Sequence, residues 1–280
     1  MHDRPYRSAL YIPGAKDRAL DKARGLPVDA ILFDLEDAVA PDAKVAARDT
    51  LYAALAEGGY GPRKRIVRIN GLDTAWGPED AAAVAAMDCD AILLPKVDGP
   101  ADVDALAAFV PDLPVWAMME TPRGILNAAA IADHPRLEGF VLGTNDLAKD
   151  LNSRGRAALT TSLQHCLLAA KAAGIVALDG VYNAFRDEDG LRAECAEGRD
   201  MGFDGKTLIH PAQVAIANAA FGPTEAEIDL ARRQIAAFED AKAQGEGVAV
   251  VDGRIVENLH IVTARATLAK AEAIAALESA

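Results

Sequence analysis

Apolar positions along the chain fall into short runs, each followed by a polar loop and then an Ala-rich stretch with helical periodicity. The runs are SALYIPG (8–14), AILFDLE (30–36), RIVRIN (65–70), AILLPK (91–96), PVWAMME (114–120), LEGFVLGT (137–144), IVALDG (175–180) and FDGKTLI (203–209). Helical stretches lie between them, as at 46–58 and 159–174. Most of the runs are nearly continuous rather than alternating, which suits parallel strands buried on both faces. Eight strands alternating with helices match an α/β fold of the (β/α)8 TIM-barrel type. A doubly wound sheet is the competing architecture, and it usually has fewer strands.

The pattern changes after Phe221. The stretch 222–245 predicts a helix with Thr224 as N-cap and Glu227 completing a capping box. The stretch VAVVDGRIVE (248–257) predicts a hairpin on an Asp-Gly turn, and a last helix is expected at about 259–277. Residues 1–221 are therefore expected to form the barrel, and 222–280 a C-terminal extension acting as a lid or an oligomerisation element.

Composition narrows the function classes. With 280 residues, 51% of them hydrophobic, a sizeable core is within reach. A net charge of −13 argues against a general nucleic-acid or membrane-surface binder, although a local Arg/Lys pocket can still take an anion. Cys89, Cys166 and Cys195 are far apart with no CxxC spacing, which reads as reduced, structural thiols in a cytoplasmic protein. No signal-peptide pattern opens the chain, and no apolar run reaches the ~18 residues of a membrane span.

In barrel enzymes the chemistry sits where the strands end. Here the strand ends carry Pro13-Gly14, then Asp34, Glu36 and Asp37, then Arg68 and Asn70, Lys96, Glu120, Asn145-Asp146, Asp179, and Lys206 followed by His210. Glu120 and Asp146 come from adjacent strands, and two oxygen donors with room for waters suit Mg²⁺. For either acid alone, a helix cap or an Arg partner is as good a reading. Arg68 presents a fork that can hold a carboxylate, or it can pair with Glu36 or Asp37. Lys96 can bind an anion or pair with the same acids. A Schiff-base role for it lacks the apolar pocket that would lower its pKa. His210, just ahead of Pro211, reads as a cap. His2, His134, His165 and His260 have no constellation around them, and Cys166 reads as core.

Laid out in this order, the motifs RSALYIPG, FDLEDAVAPDAK, VRIN, LPKV, METPRG, LGTNDLAKDL, LDGVY and GKTLIHPAQV resemble the citrate lyase β-subunit-like family. That family is the branch of the HpcH/HpaI aldolase superfamily with malyl-CoA and citramalyl-CoA lyases and malyl-CoA thioesterase relatives. The resemblance implies a TIM barrel assembled as a homotrimer or homohexamer. It implies Mg²⁺ (or Mn²⁺) on Glu120 and Asp146, and a substrate carboxylate on Arg68. Glu36 and Asp37 would organise the arginine and the thioester end. Pro13, Gly14, Lys16 and Arg18, with Lys96, would lie along the CoA thioester. Asp37 stands where the pyruvate aldolases of the superfamily carry His, which places the chain on the CoA side.

The activity so implied is cleavage of a 3-hydroxyacyl-CoA, such as malyl-CoA or citramalyl-CoA, to acetyl-CoA and a small α-oxo acid. The alternative is thioester hydrolysis, giving malate and CoA. Two further alternatives are a Mg²⁺-dependent pyruvate aldolase and a non-catalytic acyl-CoA-binding barrel. Malyl-CoA lyases carry a catalytic Asp just after the hairpin of the tail, which reaches a neighbouring subunit. This chain has Glu257 there, a departure that could favour attack by water.

Overall fold

The structure is a computed structural model that describes residues 4–279, so His2 lies outside the described residues. Eight parallel strands close into a barrel in sequence order. They are β1 (Ser8–Pro13), β2 (Ala30–Asp34), β3 (Lys64–Arg68), β4 (Ala91–Leu94), β5 (Val115–Met119), β6 (Leu137–Leu142), β7 (Val176–Asp179) and β8 (Gly205–Leu208), with β8 pairing back onto β1. Each lies inside a run expected from the sequence, except that β3 begins one residue earlier, at Lys64. The chain is thus a (β/α)8 barrel and not a doubly wound sheet, since closure leaves no edge.

Strand parity sorts the side chains. Ala9, Ala30, Leu32, Ile66, Ala91, Leu93, Trp116, Met118, Val141, Val176 and Leu178 form one buried cluster in the barrel lumen, with Tyr11 packed against it. The alternate residues Leu10, Ile31, Phe33, Val67 and Ile92 are equally buried. Both faces are therefore apolar, which is why the strands read as continuous hydrophobic runs. Trp116 packs in the lumen against Tyr6, the two rings tilted by 52° with centroids 5.4 Å apart, and its indole N–H donates to Glu138 at 2.7 Å.

The barrel, Tyr6–Ala220, is one compact unit, and the residues from Phe221 onward belong to a second. In the second unit, Thr224 caps the helix Glu225–Ala243, and the Glu227 carboxylate accepts from the Thr224 N–H at 2.7 Å, forming the expected box. Strands β9 (Ala249–Val251) and β10 (Arg254–Val256) form the expected hairpin. Its turn residues Asp252 and Gly253 have φ of +52° and +75°, as a type I′ turn requires. The last helix is Asn258–Ser279. Val251, Val256, Ile261 and Phe238 join the hairpin and the two helices in a small core. Among the described residues no helix is long and apolar enough to cross a membrane.

Gly139 faces Trp116, and a Cβ there would lie 2.7 Å from the indole ring. Gly139→Ala is expected to destabilise the barrel by about 1–3 kcal/mol through overpacking, read as a shifted midpoint in denaturant unfolding. An unshifted midpoint would mean that Trp116 has another rotamer available.

Candidate active site

The register of the barrel sets Asp34 of β2 directly beside Arg68 of β3, and Pro13 of β1 beside Asp34. Asp34 and Arg68 are buried and joined edge to edge. The arginine's Nε and Nη2 donate to the two Asp34 oxygens at 2.7 and 2.6 Å. The same carboxylate accepts from the backbone N–H groups of Glu36 and Ala38 at 2.9 and 3.0 Å. One aspartate thus fixes both the arginine and the loop that follows β2. Lys44, from the helix Lys44–Glu57, holds that loop from the other side. Its ammonium donates to the Leu35 and Glu36 carbonyls at 3.2 and 2.8 Å.

Arg68 Nη1 lies 2.7 Å from Glu36 Oε2 and 3.5 Å from Asp37 Oδ2. The salt-bridge reading of Arg68 therefore holds, and its principal partner is Asp34. The Glu36 contact is an ion pair without hydrogen-bond alignment, which leaves Oε2 a buried acceptor with no donor. Burial pushes the Glu36 carboxyl up, Arg68 pulls it back, and Asp37 and Asp34 raise it again, to about 7. Asp37 is exposed. Lys96 is also exposed, with its Nζ 4.0 Å from Glu36 Oε1.

Glu120 follows β5 and is buried. Its Oε1 accepts the Lys96 N–H at 2.9 Å. Lys96 delivers that N–H from a left-handed backbone with φ of +52°, a conformation sparsely populated by non-glycine residues. Gly143, at the end of β6, makes room for the carboxylate, since a Cβ there would lie 2.4 Å from that of Glu120. Burial raises the Glu120 carboxyl to about 8, with Glu36 and Asp146 adding to the rise. Asp146 sits in the first turn of the helix Thr144–Asp150. Glu120, Asp146, Asp34, Asp37, Arg68, Tyr11 and Pro13 all line one cavity of about 340 Å³ over the C-terminal ends of the strands.

This acid set can accept a divalent cation. Glu36 and Asp146 both bear on Glu120, while Arg68 has its side edge committed to Asp34. All the donors are hard oxygens. Among the described residues no cluster of three or more His, Cys, Asp or Glu is arranged to hold a metal. An ion here would thus take two protein carboxylates and complete its shell with water or substrate, the habit of Mg²⁺.

Several strand-end residues do not face the cavity. Asp179 and Lys206 point outward, where the buried ammonium donates to Asp179 and Glu194 at 2.9 and 2.6 Å and Arg156 joins them. Asn70 is buried and donates to Asp80 and to the Leu35 carbonyl. His210 is the cap expected of it, with Nδ1 accepting from the Ala212 N–H at 3.2 Å. Cys166 is core. Gly14 is buried and its N–H is given to the Asp34 carbonyl at 2.8 Å. Lys16 and Arg18 are exposed at the start of the helix Asp17–Ala23. Glu257 belongs to the second unit. It is exposed ahead of the last helix, and its N–H donates to His260 Nδ1 at 3.0 Å. Tyr11 and the clamping role of Asp34 were not expected from the sequence. The signal was strand parity, which puts residues 9, 11, 30, 32 and 34 on the lumen side.

A closed parallel barrel with a buried arginine and converging carboxylates at its C-terminal mouth is the layout of a TIM-barrel active site. The chain belongs to the HpcH/HpaI aldolase/citrate lyase family, which matches over residues 7–211. It is 67% identical over 278 residues to a (3S)-malyl-CoA thioesterase of Cereibacter sphaeroides (strain KD131), covering 98% of both chains. It is 37% identical to the citrate lyase subunit beta of Escherichia coli (strain K12), covering 96% of this chain and 94% of that one. Among solved structures it resembles protein CitE from Mycobacterium tuberculosis in complex with magnesium, acetoacetate and coenzyme A. The TM-score is 0.83 at 30% identity, over 97% of this chain and 100% of that one.

The raised carboxyls make stability depend on pH. The folded state holds protons on Glu36 and Glu120 that the unfolded chain releases at lower pH. Stability of the chelator-treated protein is therefore expected to fall from about pH 5 to about pH 8, by roughly 5–10 °C in Tm. Glu120→Gln removes one of the two titrations and should flatten the profile. A flat profile in the unsubstituted protein would contradict the buried-acid cluster.

Proposed function

We propose that the protein hydrolyses (3S)-malyl-CoA to malate and free CoA, with Mg²⁺ held by Glu120 and Asp146. The observation that carries this reading is the full-length, 67% likeness to a (3S)-malyl-CoA thioesterase. The sequence motifs point first to carbon–carbon cleavage, with hydrolysis as the alternative, and this relative favours the alternative. Cleavage remains the second reading, supported by the 37% likeness to a citrate lyase subunit. The metal assignment is supported by the crowded acid set and by the magnesium named in the CitE complex.

When bound, Mg²⁺ supplies Lewis-acid polarisation of substrate oxygens. Arg68 holds the substrate's carboxylate. Because Asp34 occupies its Nε–Nη2 edge, the substrate would meet the Nη1 side, in competition with the unaligned Glu36 contact at 2.7 Å. Glu36, with an unbonded Oε2 and a carboxyl that titrates near neutrality, takes the proton from the attacking water. Water oxygen bonds to the thioester carbon, the C–S bond breaks, and the CoA sulfur leaves as thiolate and gains a proton from solvent. Pro13, Gly14, Lys16, Arg18 and Lys96 are proposed to line the CoA path, with Asp37 at the thioester end. Glu257 has a proposed part in the choice of water over cleavage, and the assembly is proposed to be a homotrimer or homohexamer.

Glu120→Gln and Asp146→Asn are each expected to abolish Mg²⁺-dependent release of CoA from malyl-CoA while the circular dichroism spectrum persists. Metal-dependent turnover in either variant sinks the ligand assignment. Arg68→Lys keeps the charge but loses the planar fork, and kcat/KM should drop about 10- to 100-fold. In every assay free CoA and glyoxylate are scored separately. Glyoxylate without free CoA from the unsubstituted enzyme would make it a lyase. Glu257→Gln and Glu257→Asp should alter the ratio of the two products, and an unaltered ratio removes Glu257 from the chemistry.

A further inference from the structure

Few hydrogen-bond donors lining the cavity remain free for a ligand. Arg68 gives Nε and Nη2 to Asp34. Thr207 gives its hydroxyl to the Asp179 carbonyl at 3.0 Å. The side-chain amides of Asn145 and Asn183 bond to one another. Tyr11 is different. Its ring carries the Arg68 guanidinium, with Cζ 4.9 Å from the ring centroid, and the residue lines the cavity. Among the described residues its hydroxyl donates to nothing, and it is not one of the polar atoms sealed away without a partner.

A carboxylate entering this cavity meets Asp34, Asp37, Glu120 and Asp146 as well as Arg68. The remaining guanidinium edge already has Glu36 at 2.7 Å from Nη1, which makes it a thin complement for an anion among so many acids. A neutral O–H beside that edge adds a donor without adding a charge that the acids would trap. The stacked ring keeps the hydroxyl within one ring's reach of the guanidinium.

We propose that Tyr11 is a substrate-binding residue whose hydroxyl donates a hydrogen bond to the substrate's free carboxylate beside Arg68, and so selects acyl groups that end in a carboxylate. This rests on the malyl-CoA reading for its substrate, but not for its geometry. A site that satisfies a polar group of its substrate discriminates against analogues lacking it, because its own donor is then left unpaired.

The test is Tyr11→Phe, which keeps the ring over Arg68 and removes only the O–H. Binding of (S)-malate in the presence of Mg²⁺, measured by calorimetry on the full chain, should weaken about 10- to 100-fold, as for loss of a hydrogen bond to a charged group. The kcat/KM ratio of malyl-CoA to 3-hydroxybutyryl-CoA, in which a methyl replaces the carboxylate, should fall by a similar factor. A malate affinity and a selectivity ratio both within about twofold of the unsubstituted protein would overturn the proposal. If the unsubstituted protein releases no CoA from malyl-CoA, the hydrolase reading fails by itself, and the malate titration alone decides on Tyr11.

Discussion

The site depends on one buried ion pair, Asp34 with Arg68. Barrel register makes them neighbours on β2 and β3, and both oxygens of the acid face the side edge of the guanidinium. Burying either charge alone is costly, whereas a paired and fully hydrogen-bonded set is tolerated. Asp34 meets that condition with two backbone N–H groups besides the arginine. The pair therefore does two things. It fixes a cation at the barrel mouth, and it folds the Glu36–Ala38 loop back over it. Lys44 completes the arrangement by taking the loop's carbonyls, so backbone donors and acceptors are both satisfied from within the motif FDLEDAVAPDAK.

What the pair leaves unbalanced defines the chemistry. Asp34 shares the positive charge of Arg68, so the pull of Arg68 on Glu36 and Glu120 does not cancel their burial or the charges of Glu36 and Asp146 beside Glu120. The fold holds this state by steric means. Gly143 gives the Glu120 carboxylate its place, and Lys96 adopts a left-handed backbone to reach it with an N–H. Strained backbone beside a buried carboxyl is the kind of feature that persists where the surrounding structure requires it. An acid cluster held together in this way is relieved by a divalent cation, which ties its electrostatics to the metal chemistry proposed for it.

The fold was legible because both faces of each barrel strand are apolar and the turns are polar, so the strands stood out as blocks. Arg68, Glu120 and Asp146 were legible for a similar reason, since a charged residue at the end of an apolar block has few places to go except the mouth. Facing was harder to see. Asp179 and Lys206 also end apolar blocks, yet parity turns them outward into a network with Arg156 and Glu194. Parity likewise turns Tyr11 and Asp34 inward. Tyr11 was hidden because an aromatic inside an apolar strand looks like core, and only its hydroxyl separates it from Phe. The clamping by Asp34 depends on register between two strands, which one strand's sequence does not state.

In the roles proposed for them, Arg68, Glu120 and Asp146 would serve hydrolysis and carbon–carbon cleavage alike, through an anchored carboxylate and a polarised oxygen. The two reactions differ in what they ask of water. Cleavage makes a thioester enolate, which must be kept from water long enough to leave as acetyl-CoA. Hydrolysis needs water at the thioester carbon while the hydroxy acid stays intact. Arg68, Glu120 and Asp146 have the same proposed part in both reactions, so they do not make that choice. Met118, Leu142, Val181 and Ile209 supply the apolar part of the cavity wall. Where such side chains abut a bound thioester they would exclude water, and where they leave a gap they would admit it. On the proposed reading, the reaction type would follow from the packing of uncharged residues around a shared polar core, while the acids and arginine would select the substrates held there.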